Sequence, residues 1–220
     1  VGAGAIGWDT PVASKVPWFQ LSNPDITRMV TVGDMYAHRS GLPDHAGDLL
    51  EDLGYDRRYV LDHLRDLPLD PFRISYAYTN FGVTAAAEAV AAGAGKKWED
   101  LSDEVLYRPL GMASTSSRFA DYAARPDRAV GHIRVDGRYE PAAGNTVRDA
   151  DAQSPAGGVS SSVNDVARWM TMLLGDGSYG GHQIVDPKAL LPAVTPQITS
   201  DRASDPAMRS GFYGYGFNVG

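Results

Sequence analysis

Tyr78 and Asn80 place a phenol and a side-chain amide two residues apart in Tyr78-Thr79-Asn80, just before an alanine-rich apolar run. A tyrosine acts as a general base near neutral pH only if its pKa falls by about three from about 10, which corresponds to roughly 4 kcal/mol. Cations close to the phenol must supply that energy. A structural interpretation competes: Thr79 or Asn80 caps the following helix, while Tyr76 and Tyr78 are packing residues.

The chain has no Ser-x-x-Lys sequence, the pairing that places a nucleophilic serine one helical turn before a lysine. Its lysines are Lys15, Lys96, Lys97 and Lys188. The residues three positions before them are Val12, Gly93, Ala94 and Val185. In these 220 residues alone, Tyr78 is therefore expected to be an ordinary phenol.

Gly157-Gly158 is a second candidate, for binding rather than catalysis. Adjacent glycines let the backbone approach a ligand closely, but they also form plain turns before helices, and the sequence favours neither. The acidic residues Asp48, Glu51 and Asp52 are expected to form a solvated face.

The histidines give no metal signature, because none are paired at the spacing of a zinc-binding helix. They are His38, His45, His63, His132 and His182. His38 is expected to order its loop. His45-Ala46-Gly47 is interpreted as a chance occurrence of His-x-Gly. No metal and no cofactor are expected.

The charge and composition of the chain argue against some classes of function. The net charge is −7, and no run of lysine or arginine could follow a phosphate backbone, so nucleic-acid binding is not expected. No stretch approaches the roughly 18 apolar residues of a membrane helix. The absence of cysteine leaves the compartment open, because such a chain suits either redox environment.

The apolar spacing and capping residues predict a mostly helical chain. Helices are expected after Thr10-Pro11, over 32–38 after Thr31, after Asp56, over 81–92, over about 98–106, and over 163–174 after Ser162. Asp136-Gly137 predicts one hairpin.

Four segments carry a resemblance to the class C β-lactamase and family VIII esterase group. They are His38-Arg39-Ser40-Gly41-Leu42-Pro43, Tyr78-Thr79-Asn80, Pro109-Leu110-Gly111-Met112 with Thr115, and Ala156-Gly157-Gly158-Val159-Ser160 before Asp165-Val166-Ala167-Arg168-Trp169. They resemble the group's HxSGLP, Tyr-x-Asn, PLGMxxT and AGGxxSxxxDxARW elements, in the same order.

The resemblance implies a serine hydrolase that forms an acyl-enzyme with a β-lactam, an ester or a D-amino-acid amide. Tyr78 and Asn80 would be catalytic, with Asn80 holding the lysine and the substrate's amide or carbonyl, and Gly157 and Gly158 would bind substrate. A noncatalytic relative that binds cell-wall peptides or regulates a partner is the alternative.

Two motifs of the group are absent from the chain, Ser-x-x-Lys and a late Lys-Thr-Gly or His-x-Gly. Residues 1–220 are therefore expected to form a single incomplete domain, mainly α with a few short strands, corresponding mostly to the helical lobe of the α/β serine β-lactamase-like fold. Residues 211–220 are expected to start a sheet strand. Without the missing segments, the apolar face of the helix over 81–92 and the edge of that strand would be exposed. Both features favour association, so the chain is expected to form a homo-oligomer or to associate with the missing segments.

Overall fold

A computed structural model describes residues 1–144 and 147–220. Helices are the most frequent regular elements in the described residues, and most of them are short. The α-helices are α1 (Val12–Lys15), α2 (Pro24–Met29), α3 (Val32–Tyr36), α4 (Asp48–Asp52), α5 (Arg57–His63), α6 (Asn80–Ala94), α7 (Trp98–Ser102), α8 (Phe119–Ala124), α9 (Ser154–Gly157), α10 (Val163–Leu174) and α11 (Pro187–Leu190). Within residues 1–144 and 147–220, 3-10 helices cover Leu64–Asp66, Asp151–Gln153 and Leu191–Val194, and a π-helical turn covers Asp103–Tyr107.

The strands form three small antiparallel sheets. They are β1 (His132–Val135), β2 (Arg138–Pro141), β3 (Ser178–Tyr179), β4 (His182–Gln183), β5 (Ile198–Asp201), β6 (Gly211–Tyr213) and β7 (Asn218–Val219). The first two are the hairpin predicted from Asp136-Gly137, and β3 pairs with β4. The third sheet has the order β5-β6-β7.

Residues 211–220 differ from the single strand that was expected to begin there. The chain turns between β6 and β7, where Gly214 donates its N–H to the carbonyl of Phe217 at 2.7 Å. A side chain at Gly214 would lie 2.1 Å from the carbonyl oxygen of Ala193, so only glycine fits this crossing. Gly216 completes the turn with a φ of 89°.

The predicted helix starts are mostly confirmed. The side chains of Thr31, Asp56 and Ser162 accept hydrogen bonds from backbone N–H groups three residues on. The first start is wrong in detail: Pro11, not Thr10, occupies the cap of α1, and the Thr10 hydroxyl accepts a hydrogen bond from the N–H of Gly7 instead. The helix expected over 98–106 ends at Ser102 and continues as the π-helical turn.

Helix α6 lies at the centre of the larger core. Phe81 and most of its alanines are fully buried, and it packs against α1, α3, α7 and α9. The expectation that this helix lacks cover within the chain is therefore wrong, because short helices before and after it in sequence surround its small side chains. None of the helices in the described part of the chain is long and apolar enough to cross a membrane.

Asp34 connects α3 to two loops. Its side chain is only 1% exposed and receives hydrogen bonds from Arg39 Nε at 2.8 Å and from Arg73 Nη2 at 2.8 Å. It also closes a capping box with Thr31. Burial opposes ionisation of this carboxyl, but the hydrogen bonds from Arg73, Arg39 and Thr31 outweigh it and lower the pKa of Asp34.

His38 joins the loop after α3 to the segment before α6. Its buried ring accepts a hydrogen bond at Nδ1 from the N–H of Thr79 at 3.1 Å, and its carbonyl accepts one from Ala77 at 2.9 Å. Burial lowers the pKa of His38 to about 4, against the opposing charge of Asp44. The ring is therefore neutral at pH 7, with its proton on Nε2.

Replacing Asp34 by asparagine is expected to lower the free energy of unfolding by about 2–4 kcal/mol, because it weakens charge-assisted hydrogen bonds and a helix cap. Urea denaturation measures the loss. Asp25→Asn is the control, since it removes an exposed ion pair with Arg28 and should cost about 1 kcal/mol or less. Equal losses in the two variants would contradict the role given to Asp34.

The free energy of unfolding is expected to fall as the pH drops from 6.5 towards about 4, because the unfolded chain protonates His38 in this range and the folded chain does not. The contribution is on the order of 3 kcal/mol. Urea midpoints measured across this range test it. His38→Gln keeps an acceptor for Thr79 but does not titrate, so it should flatten the dependence, whereas His182→Gln, at an exposed histidine, should not. An unchanged slope in His38→Gln would refute the assignment.

Candidate active site

Tyr78 and Asn80 stand at the start of α6, as the sequence placed them. Thr79 occupies the cap position with extended dihedral angles, but its side chain makes no capping hydrogen bond. Asn80 is the first residue of the helix, so its side chain does not cap either. The side chains of this tripeptide are therefore available for other contacts, and the capping interpretation is not supported.

Rings surround one side of Tyr78. The centroid of its ring lies 4.5 Å from that of His38 and 5.8 Å from that of His45. Tyr213, on β6, lies 5.0 Å from His38 and 5.5 Å from Tyr76. The loop after α3, the segment before α6 and the last sheet therefore meet at this aromatic cluster.

The tyrosines of the cluster differ in exposure. Burial raises the pKa of Tyr213 to about 12 and also raises that of Tyr76, so both are neutral phenols at pH 7. Tyr78 is 38% exposed, and its hydroxyl has no hydrogen-bond partner in the described part of the chain. Tyr78 is thus the phenol of this cluster that a substrate can reach.

His45 belongs to the site, which the sequence interpretation missed. Its N–H donates to the carbonyl of Tyr78 at 2.8 Å, and its ring Nδ1 lies 2.8 Å from a carboxylate oxygen of Asp48. Hydrogen bonding to Asp48, with the charge of Asp44, raises the pKa of this exposed imidazole. Interpreting His45-Ala46-Gly47 as a chance occurrence set aside a residue that contacts the predicted base.

Asp48 and Glu51, which were expected to lie on a solvated face, instead make side-chain contacts with other residues. Asp48 Oδ1 and Oδ2 accept hydrogen bonds from Asn80 Nδ2 at 3.4 and 3.3 Å. The Glu51 side chain is 5% exposed and is bonded by Arg148 at 2.9 Å and by Gln153. The expectation was wrong for these two because their partners are distant in sequence, whereas Asp52 is exposed as expected.

Some residues at and near the site have left-handed backbone angles. His38 and His45 have φ values of 54° and 56°, and Arg73 has 64°. Such angles are uncommon outside glycine and persist where surrounding contacts hold them. Here, hydrogen bonds to Thr79 and Tyr78 hold the two histidines in place.

Gly157 and Gly158 lie elsewhere. They end α9 and help line a cavity of about 450 Å³ that neither Tyr78 nor Asn80 lines. A side chain at Gly158 would lie 2.6 Å from the Cα of Ser154, so this glycine is required by the packing of its own turn. The structure does not bring the two glycines together with Tyr78 and Asn80.

The PLGMxxT-like loop and the start of α10 are joined through Asp165. Its carboxylate accepts hydrogen bonds from the N–H of Ser114 at 2.7 Å and from the Thr115 hydroxyl at 3.0 Å. Two of the four segments that carried the resemblance are thus in direct contact. Two others, containing His38 and Tyr78, are in contact through the hydrogen bond to Thr79.

The described residues contain no group of three or more histidine, cysteine or acidic side chains placed to hold a metal ion. A second cavity, of about 820 Å³, is lined by an ion-pair network in which Arg57 contacts Glu88 at 2.8 Å and Glu99 at 2.6 Å. This network connects α5, α6 and α7 and lies apart from the aromatic cluster, since Tyr78 does not line that cavity.

The arrangement offers an accessible phenol and a side-chain amide whose NH₂ group faces a carboxylate. No lysine in the described ranges forms a hydrogen bond or ion pair with Tyr78. Acyl transfer also needs a nucleophile, and the 220 residues contain no Ser-x-x-Lys sequence.

Known proteins share both the sequence and the fold. The chain is 33% identical over 187 residues to penicillin-binding protein 4 of Amycolatopsis lactamdurans, covering 80% of this chain and 46% of that protein. It is 29% identical over 180 residues to the unguisins hydrolase ungD of Aspergillus violaceofuscus, covering 77% of this chain and 31% of that protein. The chain therefore spans less than half the length of these relatives.

The fold matches that of an octameric penicillin-binding protein homologue from Pyrococcus abyssi, with a TM-score of 0.76 and 20% identity, over 99% of this chain and 48% of that one. The expected β-lactamase-like fold is thereby confirmed. The beta-lactamase family model matches residues 1–220. The chain therefore belongs to the beta-lactamase family.

Proposed function

We propose that the whole protein is a serine hydrolase that acts through an acyl-enzyme on a β-lactam, an ester or a D-amino-acid amide. Tyr78 would act as the general base, and Asn80 would help to hold the substrate. The observation that carries this proposal is the accessible Tyr78 hydroxyl beside Asn80, in a frame held by the bond from Thr79 to His38. The family to which the chain belongs supports the reaction class.

We propose that residues 1–220 form one incomplete domain, mostly the helical lobe. The length of the relatives supports this, since the chain spans less than half of them. The β5-β6-β7 sheet has two edge strands, β5 and β7, each with backbone groups available on its outer side. We infer that further strands of the protein, or a second copy of the chain, pair along one of these edges.

A noncatalytic role in binding cell-wall peptides or in regulation is the second candidate. The observation that favours it is the absence of Ser-x-x-Lys from the 220 residues. Gly157 and Gly158 would contribute to binding in either case, through the cavity that they line. The two candidates differ in whether the whole protein forms an acyl-enzyme.

Tyr78→Phe in the whole protein is expected to lower the rate of acylation by about a hundredfold or more, because it removes a general base. Stopped-flow measurement with a chromogenic β-lactam or a p-nitrophenyl ester checks the rate. Folding should be nearly unchanged, since the lost hydroxyl is exposed. Tyr139→Phe, on the exposed hairpin, is the matched control and should retain the wild-type rate. Near wild-type acylation in Tyr78→Phe would refute the proposed role.

The 220-residue chain alone is expected neither to hydrolyse these substrates nor to retain a labelled penicillin, because it holds no Ser-x-x-Lys. Mass spectrometry after incubation with the penicillin checks for an adduct. A stable adduct on any residue of the chain would show that the nucleophile lies within it. A thermal melt of the same sample serves as the control for folding.

A further inference from the structure

The cavity of about 820 Å³ beside α5 has a lining with more negative than positive charge. Its acidic side chains are Glu51, Asp56, Glu88, Glu99, Asp149 and Asp151, and its cationic ones are Arg57, Arg58, Lys96 and Lys97. Neither Tyr78 nor Asn80 lines it, so it lies outside the candidate active site. The excess of carboxylates favours a positively charged occupant.

Two of the cationic side chains pair with acids outside the cavity. Arg58 contacts Asp62 at 2.8 Å, and Lys96 pairs with Glu104. Neither of these two acids lines the cavity. The positive charge available to the acids of the lining is therefore smaller than the number of its cationic residues suggests.

The segment before α9 supplies two of the acids that lack a cationic partner. In the described ranges, Asp149 and Asp151 form no ion pair, and their carboxylates accept hydrogen bonds from the backbone N–H groups of Asp151 and Phe119. Burial raises the pKa of Asp151, and the nearby charges of Asp149 and Glu99 raise it further. These carboxylates repel one another, and a bound cation would reduce that repulsion.

Two buried polar atoms of lining residues have no hydrogen-bond partner in the described part of the chain. Glu51, whose side chain is 5% exposed, uses Oε2 for both Arg148 and Gln153, and its Oε1 has no partner. Trp98 Nε1 has none either. A carboxylate oxygen needs a donor and an indole N–H needs an acceptor, and leaving such groups unpaired costs free energy.

The walls suit an organic cation better than a metal ion. Trp18, Tyr55 and Trp98 line the cavity, and the guanidinium carbon of Arg58 lies 3.9 Å from the centroid of the Trp18 ring. Aromatic faces of this kind attract organic cations. Among residues 1–144 and 147–220, no three histidine or acidic side chains are placed to hold a metal ion.

We propose that this cavity binds a small organic ligand that carries an ammonium group with a carbonyl or hydroxyl oxygen close to it. The ammonium donates to Glu51 Oε1, the oxygen accepts from Trp98 Nε1, and the carbon atoms of the ligand pack against the aromatic rings. The volume lies in the range of cavities that hold such ligands. Amino sugars and the amino-terminal residues of peptides share this chemistry. The inference does not depend on the hydrolase function proposed above.

The test uses two amines and their acetylated counterparts. Glucosamine and alaninamide carry the ammonium, whereas N-acetylglucosamine and N-acetylalaninamide keep the oxygens and lose the charge. Binding to the whole protein is measured by isothermal titration calorimetry at pH 6. At least one amine is expected to bind about tenfold or more tightly than its acetylated counterpart, the scale of a charge-assisted hydrogen bond. The tighter amine identifies the source of the ligand.

Equal affinities of the amines and their acetylated counterparts would overturn the proposal, because the charge would then play no part. Absence of binding by both amines at tens of millimolar would overturn it as well.

Glu51→Gln keeps an acceptor for Arg148 and Gln153 but places an NH₂ group where Oε1 was, so it should weaken amine binding by about tenfold or more. Asp52→Asn is the matched control, because it removes an exposed charge from the same helix outside the cavity and should keep the wild-type affinity. Thermal melts of both variants check that they fold. Equal losses in the two variants would contradict the assignment of Glu51.

A second readout uses the wild-type protein and does not require Glu51→Gln to fold. The indole N–H resonance of Trp98, assigned by its loss in Trp98→Phe, should move downfield when the amine binds, because this N–H gains an acceptor. The indole resonances of Trp8 and Trp169, which do not line the cavity, should stay in place. A Trp98 resonance that stays unchanged while the amine binds would refute the proposed site.

Discussion

The bond from the Thr79 N–H to His38 Nδ1 is the interaction on which the candidate site depends. It requires a neutral imidazole, because a protonated ring has no acceptor. Burial provides that neutrality by disfavouring the charged form. The hydrogen bond to His38 holds the backbone of Thr79, which lies between Tyr78 and Asn80. A change that charges or removes His38 acts on Tyr78 and Asn80 together.

This hydrogen bond has its own support. The loop that contains His38 also contains Arg39, whose side chain donates a hydrogen bond to Asp34. The backbone N–H of Arg73 donates to the carbonyl of Arg39 at 2.9 Å. Gly41 permits a close approach, since a side chain there would lie 2.9 Å from the carbonyl oxygen of Asp70, at a φ of 88°. The loop after α3 thus connects the buried Asp34 carboxylate to the aromatic cluster around Tyr78. The backbone of this loop sets the position of His38.

Local patterns were predictable because they depend on neighbours in sequence. The caps at Thr31, Asp56 and Ser162 follow from side chains that bond to backbone N–H groups three residues on. The turn at Asp136-Gly137 follows from two residues that adopt positive φ angles of 48° and 82°. The motif order also located Tyr78 and Asn80 correctly at the start of a helix.

Contacts across long separations were not predictable in the same way. Asn80 meets Asp48 over 32 positions, and Arg148 meets Glu51 over 97, so composition alone suggested a solvated face. His45 was rejected because a His-x-Gly is expected after Tyr78 in the chain, yet the chain folds back and places it beside Tyr78 in space. Gly157 and Gly158 line a cavity apart from Tyr78, and the sequence did not show that a side chain at Gly158 would meet Ser154 in its own turn.

A tyrosine acts as a general base near neutral pH only beside a suitable cation. Asp44 and Asp48 flank His45, whose ring lies beside that of Tyr78. Lowering the pKa of a tyrosine to near 7 requires about 4 kcal/mol. One cation about 4 Å away at an effective dielectric constant near 20 supplies about that amount. The exposed His45 ring is screened by water and already pairs with Asp48, so it does not meet this requirement. On the proposed function, a general base at Tyr78 would therefore need a less exposed cation in direct contact with its hydroxyl.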